Sequence, residues 1–193
     1  MSAGDPLALF QDLFAAAAAR ESADPTAAAL ATADASGRPA VRMVLVKGVD
    51  EAGFRFFTNL ESRKASELAA NPRAALCFWW PAIGRQVRVE GEVSRLDAAA
   101  SDAYFASRPR DSQIGAWASR QSSVLVSRDQ LLAKVAEIAA RYAEGEVPRP
   151  AFWAGYLLVP SEIEFWTAGE YRLHERERFR REGGGWTREW LYP

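Results

Sequence analysis

The alternation of residue types between Gln86 and Val93 constrains the fold of this chain most strongly. The apolar or small residues Val87, Val89, Gly91 and Val93 are interleaved with the polar residues Gln86, Arg88, Glu90 and Glu92. Because successive side chains of a strand point to opposite faces, this period of two predicts a strand with one buried and one wet face. Such a strand must pair with others and cover its apolar face, so a sheet-based fold is indicated.

Further strands are predicted along most of the chain. With the first, they cover residues 27–33, 41–46, 53–58, 74–80, 85–96, 154–159, 163–167, 172–181 and 186–191. Turns at residues 34–37 and at the glycine run 183–185 are as short as those of hairpins, which favours antiparallel pairing. This many strands, with helices inserted between them, predict a mainly β, barrel-like α+β fold in a single domain over residues 1–193.

Helices are predicted at four places. Asp5 followed by Pro6 is typical of a helix start and predicts a helix over residues 5–21, within an N-terminal region of residues 1–22. The other helices are expected at residues 61–70, 97–107 and 127–142, the last opened by a capping box. The segment 107–123 lacks apolar periodicity, so no helix is predicted there, and its simplest interpretation is a polar loop.

The net charge and the scarcity of cysteine and histidine exclude several classes of function. A formal net charge of −1 over 193 residues gives no general affinity for nucleic acid. Cys77 and His174 are the only residues of their types, so an internal disulfide and a structural zinc site are excluded and no metal is expected. There is no signal-peptide pattern, and the apolar run at residues 15–19 is too short to span a membrane. A cytoplasmic protein is the resulting expectation.

Three clusters of basic and polar residues could bind a phosphorylated ligand. In a strand, Arg172, His174 and Arg176 would share one face and attract an anion. Ser62–Lys64 lies at a predicted helix start, where free N–H groups and the helix dipole favour phosphate. Arginines, hydroxyls and amides also recur within the segment 107–123. Each cluster alone could be a solvated surface, but together they favour a ligand with more than one phosphate, for which the 7 tryptophans offer ring platforms.

These clusters, together with several shorter stretches, resemble the pyridoxamine 5'-phosphate oxidase family over residues 24–193. The resemblance rests on Arg42–Lys47, Phe57–Asn59, Ser62–Lys64, Arg85–Val87, Ser107–Trp117, Gln121–Ser123, Phe165–Trp166 and Arg172–Arg176. Phe57 and Glu175 stand where the family usually has tyrosine and aspartate, and the chain begins at about the first helix, without the longer N-terminal segment of many members. The resemblance implies an FMN-binding split β-barrel that works as a homodimer with both active sites at the subunit interface.

The resemblance also implies roles for individual residues. FMN would be bound by Arg42, Met43, Val44, Leu45, Val46, Lys47, Phe57, Thr58, Arg63, Lys64, Gln86, Gln121, Ser122, Trp166 and Arg176. The substrate phosphate would meet Lys47, Tyr104, Arg108 and Ser112, and the substrate ring would meet Arg172, Leu173 and His174. Arg172 and His174 would be the catalytic pair that positions the substrate and handles protons. Strict alternation would put Arg42 and Lys47 on opposite faces of a strand, so a bulge or twist between them is expected.

The implied reaction is the oxidation of pyridoxamine 5'-phosphate and pyridoxine 5'-phosphate by O2 to pyridoxal 5'-phosphate. Hydrogen peroxide is released and, from the amine, ammonia. Two alternatives remain open. One is a sister flavin oxidase with another substrate, such as a phenazine-pathway intermediate, although the phosphate-binding residues argue against it. The other is a non-catalytic protein that binds FMN or pyridoxal phosphate, although Arg172 and His174 argue against it.

Overall fold

An antiparallel eight-stranded sheet forms the centre of the computed structural model, which describes residues 4–193. Its strands are β1 (Ala27–Ala33), β2 (Pro39–Asp50), β3 (Gly53–Asn59), β4 (Arg73–Trp80), β5 (Arg85–Arg95), β6 (Trp153–Thr167), β7 (Glu175–Glu182) and β8 (Gly185–Leu191). The order is β3-β2-β1-β4-β5-β6-β7-β8, and pairing of β3 with β6 closes β1 to β6 into a barrel. The mainly β split-barrel fold expected from the sequence is confirmed.

Strand β6 belongs both to the closed barrel and to the part of the sheet that continues beyond the barrel through β7 and β8. Its first half pairs with β3, and its second half pairs with β7, while β5 runs along most of its length. The sequence predicted two strands here, but β6 is continuous, and the predicted break at Pro160 is only a shift of register opposite Glu90 and Gly91. A bulge absorbs the extra residue without ending the strand.

The inner face of the barrel holds the main hydrophobic core. Phe54, Phe56, Phe78 and Val87 are fully buried there, and each such side chain contributes roughly 1.5–3 kcal/mol when it leaves water. Phe10, from the N-terminal helix, packs its ring edge-on against Phe54 and Phe78 at centroid distances of 4.9 and 5.0 Å. That helix therefore closes one side of the barrel.

Five helices accompany the sheet among the described residues. They are α1 (Pro6–Ala18), α2 (Arg63–Ala70), α3 (Ala98–Ser107), α4 (Arg110–Ala118) and α5 (Arg128–Arg141). Helix α1 begins as predicted, with Asp5 Oδ1 accepting a hydrogen bond from the Leu7 N–H at 2.9 Å, but it ends three residues before the predicted end. Residues 1–3 of the predicted N-terminal region 1–22 lie outside the described part of the chain. None of the helices in residues 4–193 is long and apolar enough to cross a membrane.

Helix α4 occupies residues 110–118 of the segment 107–123, where no helix was predicted. The simplest interpretation of the segment, a polar loop, is therefore wrong for these residues. Ile114 and Ala118 are buried in a second hydrophobic cluster, and Gln113 is buried beside them with its amide donating to the Phe105 carbonyl at 2.9 Å. Ile114 and Ala118, one turn apart, together with Ala116 and Trp117 packed against the same cluster, anchor this short helix. Its remaining polar face stays open, and periodicity cannot detect so narrow a contact.

Strand β7 begins at Glu175, so the prediction of a strand over residues 172–181 was wrong at its start. Arg172 ends a short 3-10 turn (Glu170–Arg172), and His174 lies in the connection that follows. Tyr171 and Arg172 have positive φ angles of 54° and 63°, which no strand contains. Arg172, His174 and Arg176 therefore do not share a strand face by period two.

Candidate functional site

A cleft of about 630 Å³ opens on the outer side of the barrel, between β2, β3 and helices α3 and α4. Eight of the residues implied by the resemblance line it: Leu45, Lys47, Phe57, Thr58, Tyr104, Arg108, Ser112 and Gln121. Asn59, Ser107, Pro109, Gly115, Ala116, Ser119 and Trp153 complete the lining. Lys47 and Arg108 are the cationic residues of the lining, and Lys64 lies behind it, hydrogen-bonded to the lining residues Thr58 and Gln121. Lys64 and Arg108 mark two separate cationic places.

The first cationic place is Lys64, at the N-terminal end of α2. Its side chain is only 7% exposed, and its ammonium donates to Thr58 Oγ1 at 2.9 Å, Gln121 Oε1 at 2.9 Å and Ser62 Oγ at 3.2 Å. All three acceptors are neutral oxygens. Burial, aided by repulsion from Arg42 and opposed by Glu67, lowers the pKa of Lys64 to about 8. All three donors of this ammonium are engaged by neutral oxygens, so no carboxylate is bonded to it, and an anion held nearby would stabilise its charge.

Glu67 organises the arginines around Lys64. Its carboxylate is 5% exposed and accepts from Arg63 Nε at 2.7 Å, from Arg42 Nη2 at 2.9 Å and from the Thr32 hydroxyl. Burial alone would raise the pKa of Glu67, but these donors outweigh it and hold the pKa below its usual range. Arg42 thus points from β2 towards α2 and away from the cleft lining, although its charge is felt at Lys64.

Ser122 joins this end of the cleft through the backbone of α2. The Arg63 N–H donates to Ser122 Oγ at 3.2 Å, and Ser122 itself has a positive φ of 73°. Five residues implied by the resemblance as FMN ligands are therefore brought together here: Thr58, Arg63, Lys64, Gln121 and Ser122. Residues that are distant in sequence thus form one candidate anion-binding site at this end of the cleft.

The second cationic place is Arg108, just beyond the end of α3. Its guanidinium carbon lies 5.0 Å from the Trp153 ring centroid and 5.4 Å from that of Phe105. Burial, only partly offset by Tyr104, lowers the pKa of Arg108 from its ordinary value, and Nη1 is buried without a hydrogen-bond partner among residues 4–193. A buried donor without an acceptor is costly in a protein, and an anionic ligand would satisfy it.

Aromatic rings form the floor between the two cationic places. Phe57 stacks on Tyr104 with a centroid distance of 3.9 Å and on Trp153 at 5.4 Å. Phe57 therefore contributes to the cleft by ring stacking and lacks the hydroxyl that a tyrosine would add. A flat heterocycle fits such a surface.

Lys47 lies at the cleft wall as the extra residue of a bulge. The register of β2 with β3 shifts between Val46 and Gly48, which confirms the expected bulge. It does not bring Arg42 and Lys47 to one place, because Arg42 bonds to Glu67 and lies outside the cleft lining. The Lys47 ammonium donates to Thr26 Oγ1 at 3.0 Å and lies 3.5 Å from Asp24 Oδ2. Its neighbours in β2 lie on both faces of the sheet: Val46 is buried in the core, and Met43 is 64% exposed on the outer face.

A second group of implied site residues lies elsewhere, near the ends of β5, β6 and β7. Gln86, Trp166 and Arg176 are directly paired across these strands, and the His174 ring lies 4.5 Å from the Trp166 ring. We call Gln86, Trp166, Arg172, His174 and Arg176 the C-terminal cluster. None of its members lines the cleft.

Arg176 is held firmly within the C-terminal cluster. Glu164, 2% exposed, accepts from Arg176 Nε at 2.8 Å and Nη2 at 3.0 Å and also pairs with Arg88 at 2.5 Å. The Arg176 Nη1 group donates to the Tyr192 carbonyl at 3.0 Å. A guanidinium fixed on three sides is pre-organised for recognition of a planar or anionic group.

A row of exposed apolar residues lies between the cleft and the C-terminal cluster. Val41, Met43, Leu45 and Trp79 are 69%, 64%, 44% and 52% exposed, and we call them the outer apolar row. Leu45 also lines the cleft, and the Trp79 ring lies 5.8 Å from Trp166 in the C-terminal cluster. The row therefore links both groups across one face of the sheet.

The sequence reasoning missed several cleft residues. Asn59 and Trp153 both line the cleft, and Asn59 reaches the Ser119 carbonyl at 3.3 Å. Asn59 follows Thr58 directly, a polar pair at a strand end that could have been noticed. Trp153 had no such signal, because its role depends on Arg108, which is far away in sequence.

Two family models together match nearly all of the chain. The model described as "Pyridoxamine 5'-phosphate oxidase" matches residues 14–142. The model described as "Pyridoxine 5'-phosphate oxidase C-terminal dimerisation region" matches residues 153–193. The second match contains β6, β7 and β8, and with them much of the C-terminal cluster.

Similar proteins carry related names. The chain is 60% identical over 192 residues to a "Pyridoxine/pyridoxamine 5'-phosphate oxidase" from Anaeromyxobacter dehalogenans, covering 100% of this chain and 97% of that one. It is 56% identical to a protein of the same name from Rhodospirillum rubrum, covering 98% and 96%. Among solved structures, PhzG from Burkholderia lata in complex with tetrahydrophenazine-1-carboxylic acid matches with a TM-score of 0.92 and 34% identity, covering 99% and 94%. A pyridoxamine 5'-phosphate oxidase-related, FMN binding protein from Nostoc punctiforme shares the fold, with a TM-score of 0.77 and 19% identity over 100% of both chains.

Proposed function

The chain belongs to the pyridoxamine 5'-phosphate oxidase family, and we propose that it oxidises pyridoxamine 5'-phosphate and pyridoxine 5'-phosphate to pyridoxal 5'-phosphate with O2. The observation that carries this proposal is the unpartnered, buried Nη1 of Arg108. It lies in a cleft that also presents Lys47, Tyr104 and Ser112. These are donors for the phosphate monoester that both substrates share.

The residues around Lys64 fit the phosphate of FMN. The ammonium is buried among neutral oxygens with no competing carboxylate in its hydrogen-bond set, and the start of α2 adds the positive end of a helix dipole. FMN bound there would supply the redox chemistry: the substrate would lose two electrons and two protons, the flavin would take up the electrons with one proton as a hydride, and O2 would take up two electrons and two protons to give hydrogen peroxide. Lys64, behind the lining, and Arg108, within it, are two separate cationic places, which suit one phosphate from the cofactor and one from the substrate.

Residues of the protein would bind the substrate, orient it and exclude water from the site. Arg108, with Ser112 and Tyr104, would fix the substrate by its phosphate, and the stacked rings of Phe57 and Trp153 would exclude water from the floor of the cleft. Arg172 and His174 would approach the substrate ring from the C-terminal cluster. A guanidinium is always charged near neutral pH, so Arg172 would act by electrostatics and orientation, and not as a base.

We further propose that the active site forms between two copies of the chain. Trp153 in the cleft and Trp166 in the C-terminal cluster lie near opposite ends of the 15-residue strand β6. No member of the C-terminal cluster lines the cleft of its own chain, so the C-terminal cluster would serve the cleft of a partner. The outer apolar row, which a soluble monomer would leave in water, supplies a surface for such a homodimer.

The test is an assay of purified protein reconstituted with FMN, in which pyridoxal 5'-phosphate and hydrogen peroxide are measured from each phosphorylated substrate. We expect both products in equal amounts during steady turnover. Pyridoxamine and pyridoxine without phosphate are the matched controls and should react poorly, because they leave Arg108 unsatisfied. An FMN-loaded protein that oxidises neither phosphorylated compound would refute the proposal.

A second candidate follows from the match to PhzG at a TM-score of 0.92. In this alternative the chain is a flavin oxidase that acts on a phosphate-free ring carboxylate, the kind of ligand named in that structure. Oxidation of a reduced phenazine carboxylate faster than of both phosphorylated B6 compounds would favour it. The buried, unpartnered Arg108 donor favours the phosphorylated substrates.

A further inference from the structure

His174 has one ring nitrogen occupied by the protein backbone. The Gly169 N–H donates a hydrogen bond to His174 Nδ1 at 3.2 Å, within the range of normal N–H donors. The other nitrogen, Nε2, has no hydrogen-bond partner among residues 4–193. His174 is half-buried, with its ring against that of Trp166.

The backbone bond determines which nitrogen carries the proton. A peptide N–H can only donate, so Nδ1 must offer its lone pair. In a neutral imidazole the proton then resides on Nε2. A ring in this form donates from its free edge and has no lone pair there with which to accept a proton.

The position of Gly169 admits no side chain. A Cβ at Gly169 would lie 2.2 Å from the Leu173 carbonyl oxygen and 3.3 Å from the His174 Cα. This loop is folded tightly on itself, because the Leu173 N–H also donates to the Glu170 carbonyl at 2.9 Å. Any other residue at 169 must push Leu173 and His174 away, and the contact to Nδ1 would be broken.

We propose that Gly169 is a positioning residue that holds His174 as its Nε2–H form, so that His174 donates a hydrogen bond to the bound substrate and does not remove its proton. This inference rests on the proposed function, because it assumes that His174 meets a substrate. In this proposal the loop from Gly169 to His174 sets the protonated nitrogen of His174, in addition to its structural role. The proton acceptor of the reaction must then be a group other than His174.

The first experiment observes His174 directly. It is the sole histidine of the chain, so FMN-loaded protein labelled with 15N-histidine, with any histidine tag removed, gives one imidazole pattern by nuclear magnetic resonance. At a pH where the ring is neutral, we expect the proton on Nε2 and a bare Nδ1. A proton on Nδ1, or a rapidly exchanging mixture, would overturn the proposal. This result does not depend on which substrate the enzyme oxidises.

The second experiment changes the loop and follows both spectrum and turnover. In Gly169→Ala, the ring should lose its fixed Nε2–H form, and kcat should fall on the order of 100-fold, the usual effect of misplacing a reacting group by about 1 Å. FMN affinity should stay unchanged. Gly185→Ala is the matched control, since its Cβ would meet only the Glu182 carbonyl at 3.9 Å. A Gly169→Ala protein with an unaltered histidine spectrum and normal kcat would contradict the positioning role.

The third experiment separates donation from proton removal. The amide of His174→Gln can donate from nearly the same place as Nε2 but cannot take up a proton, whereas His174→Ala can do neither. Donation predicts that His174→Gln keeps at least about tenfold more kcat than His174→Ala. Equal losses in both variants would mean that His174 is the base. If the unaltered protein oxidises neither substrate, the proposed function fails, while the spectrum of His174 still decides the role of Gly169.

Discussion

Lys64 gives FMN binding a dependence on pH that follows from the structure. Burial, with repulsion from Arg42, lowers the pKa of Lys64 to about 8 in the ligand-free protein. A bound phosphate would favour the charged ammonium and raise this pKa again. Above pH 8, binding therefore requires uptake of a proton, and the affinity for FMN must fall as the pH rises.

The size of the effect can be worked out. For a pKa of about 8, the charged fraction of Lys64 falls from about nine-tenths at pH 7 to about one-tenth at pH 9. If the phosphate returns the pKa towards its ordinary value, the dissociation constant for FMN rises about tenfold over this range, or about 1.4 kcal/mol. Below pH 7 the phosphate of FMN, which has a pKa of about 6, becomes protonated, and the affinity for FMN falls as the pH is lowered. The optimum should lie between about pH 6 and pH 8.

The assay is a titration of apoprotein with FMN at pH 7, 8 and 9, followed by quenching of flavin fluorescence. Riboflavin, which lacks the phosphate, is the matched ligand control and should bind with little change across this range. Lys64→Arg keeps its charge at all three pH values, so it should remove the alkaline loss. A dissociation constant that stays level from pH 7 to pH 9, or an equal loss in Lys64→Arg, would refute the reasoning.

Three further predictions concern the substrate site, the dimer and the stability of the fold. Arg108→Ala should raise KM for both phosphorylated substrates by tenfold or more, as expected for a charge-assisted bond of about 1.5–3 kcal/mol, and an unchanged KM would contradict the assignment. At a substrate concentration far below the raised KM of Arg108→Ala, pure dimers of Arg108→Ala and of Arg172→Ala should both be nearly inactive. When their subunits are mixed in equal amounts and exchanged, about a quarter of the sites should recover activity, because each mixed dimer has one site with both arginines intact. A mixture without recovered activity would mean that each site lies within one chain. Asp5→Ala should lower the free energy of unfolding by about 1 kcal/mol through loss of the α1 cap, measured by urea denaturation with Asp12→Ala, an exposed residue inside the same helix, as control.

Local patterns in the sequence predicted the strands well. The alternation along β5 and the short turns around it follow from burial of one face, and this physical rule needs no knowledge of neighbours. The bulge at Lys47 was also predicted, since two residues implied at one site stood at an odd spacing. Such features depend on a few adjacent residues.

The features that the sequence did not reveal depend on contacts between distant segments. Helix α4 is anchored by a few residues in a cluster assembled from α3, α5 and β6, so its own pattern is too weak to show a helix. The left-handed turn at Tyr171 and Arg172 is held by the surrounding loop against local preference. The separation of the C-terminal cluster from the cleft is a property of the closed barrel, and no linear motif records it.

Among residues 4–193, the three non-glycine residues with positive φ are Ser122, Tyr171 and Arg172, and all three lie beside or within the candidate site. Each left-handed residue costs about 1–2 kcal/mol relative to a relaxed backbone. Selection for heat resistance would therefore be drawn to these positions, where glycine relieves the conformational cost. Proteins improved in this way would melt later and turn over more slowly. The most stable version of this fold and its most active version are consequently different sequences.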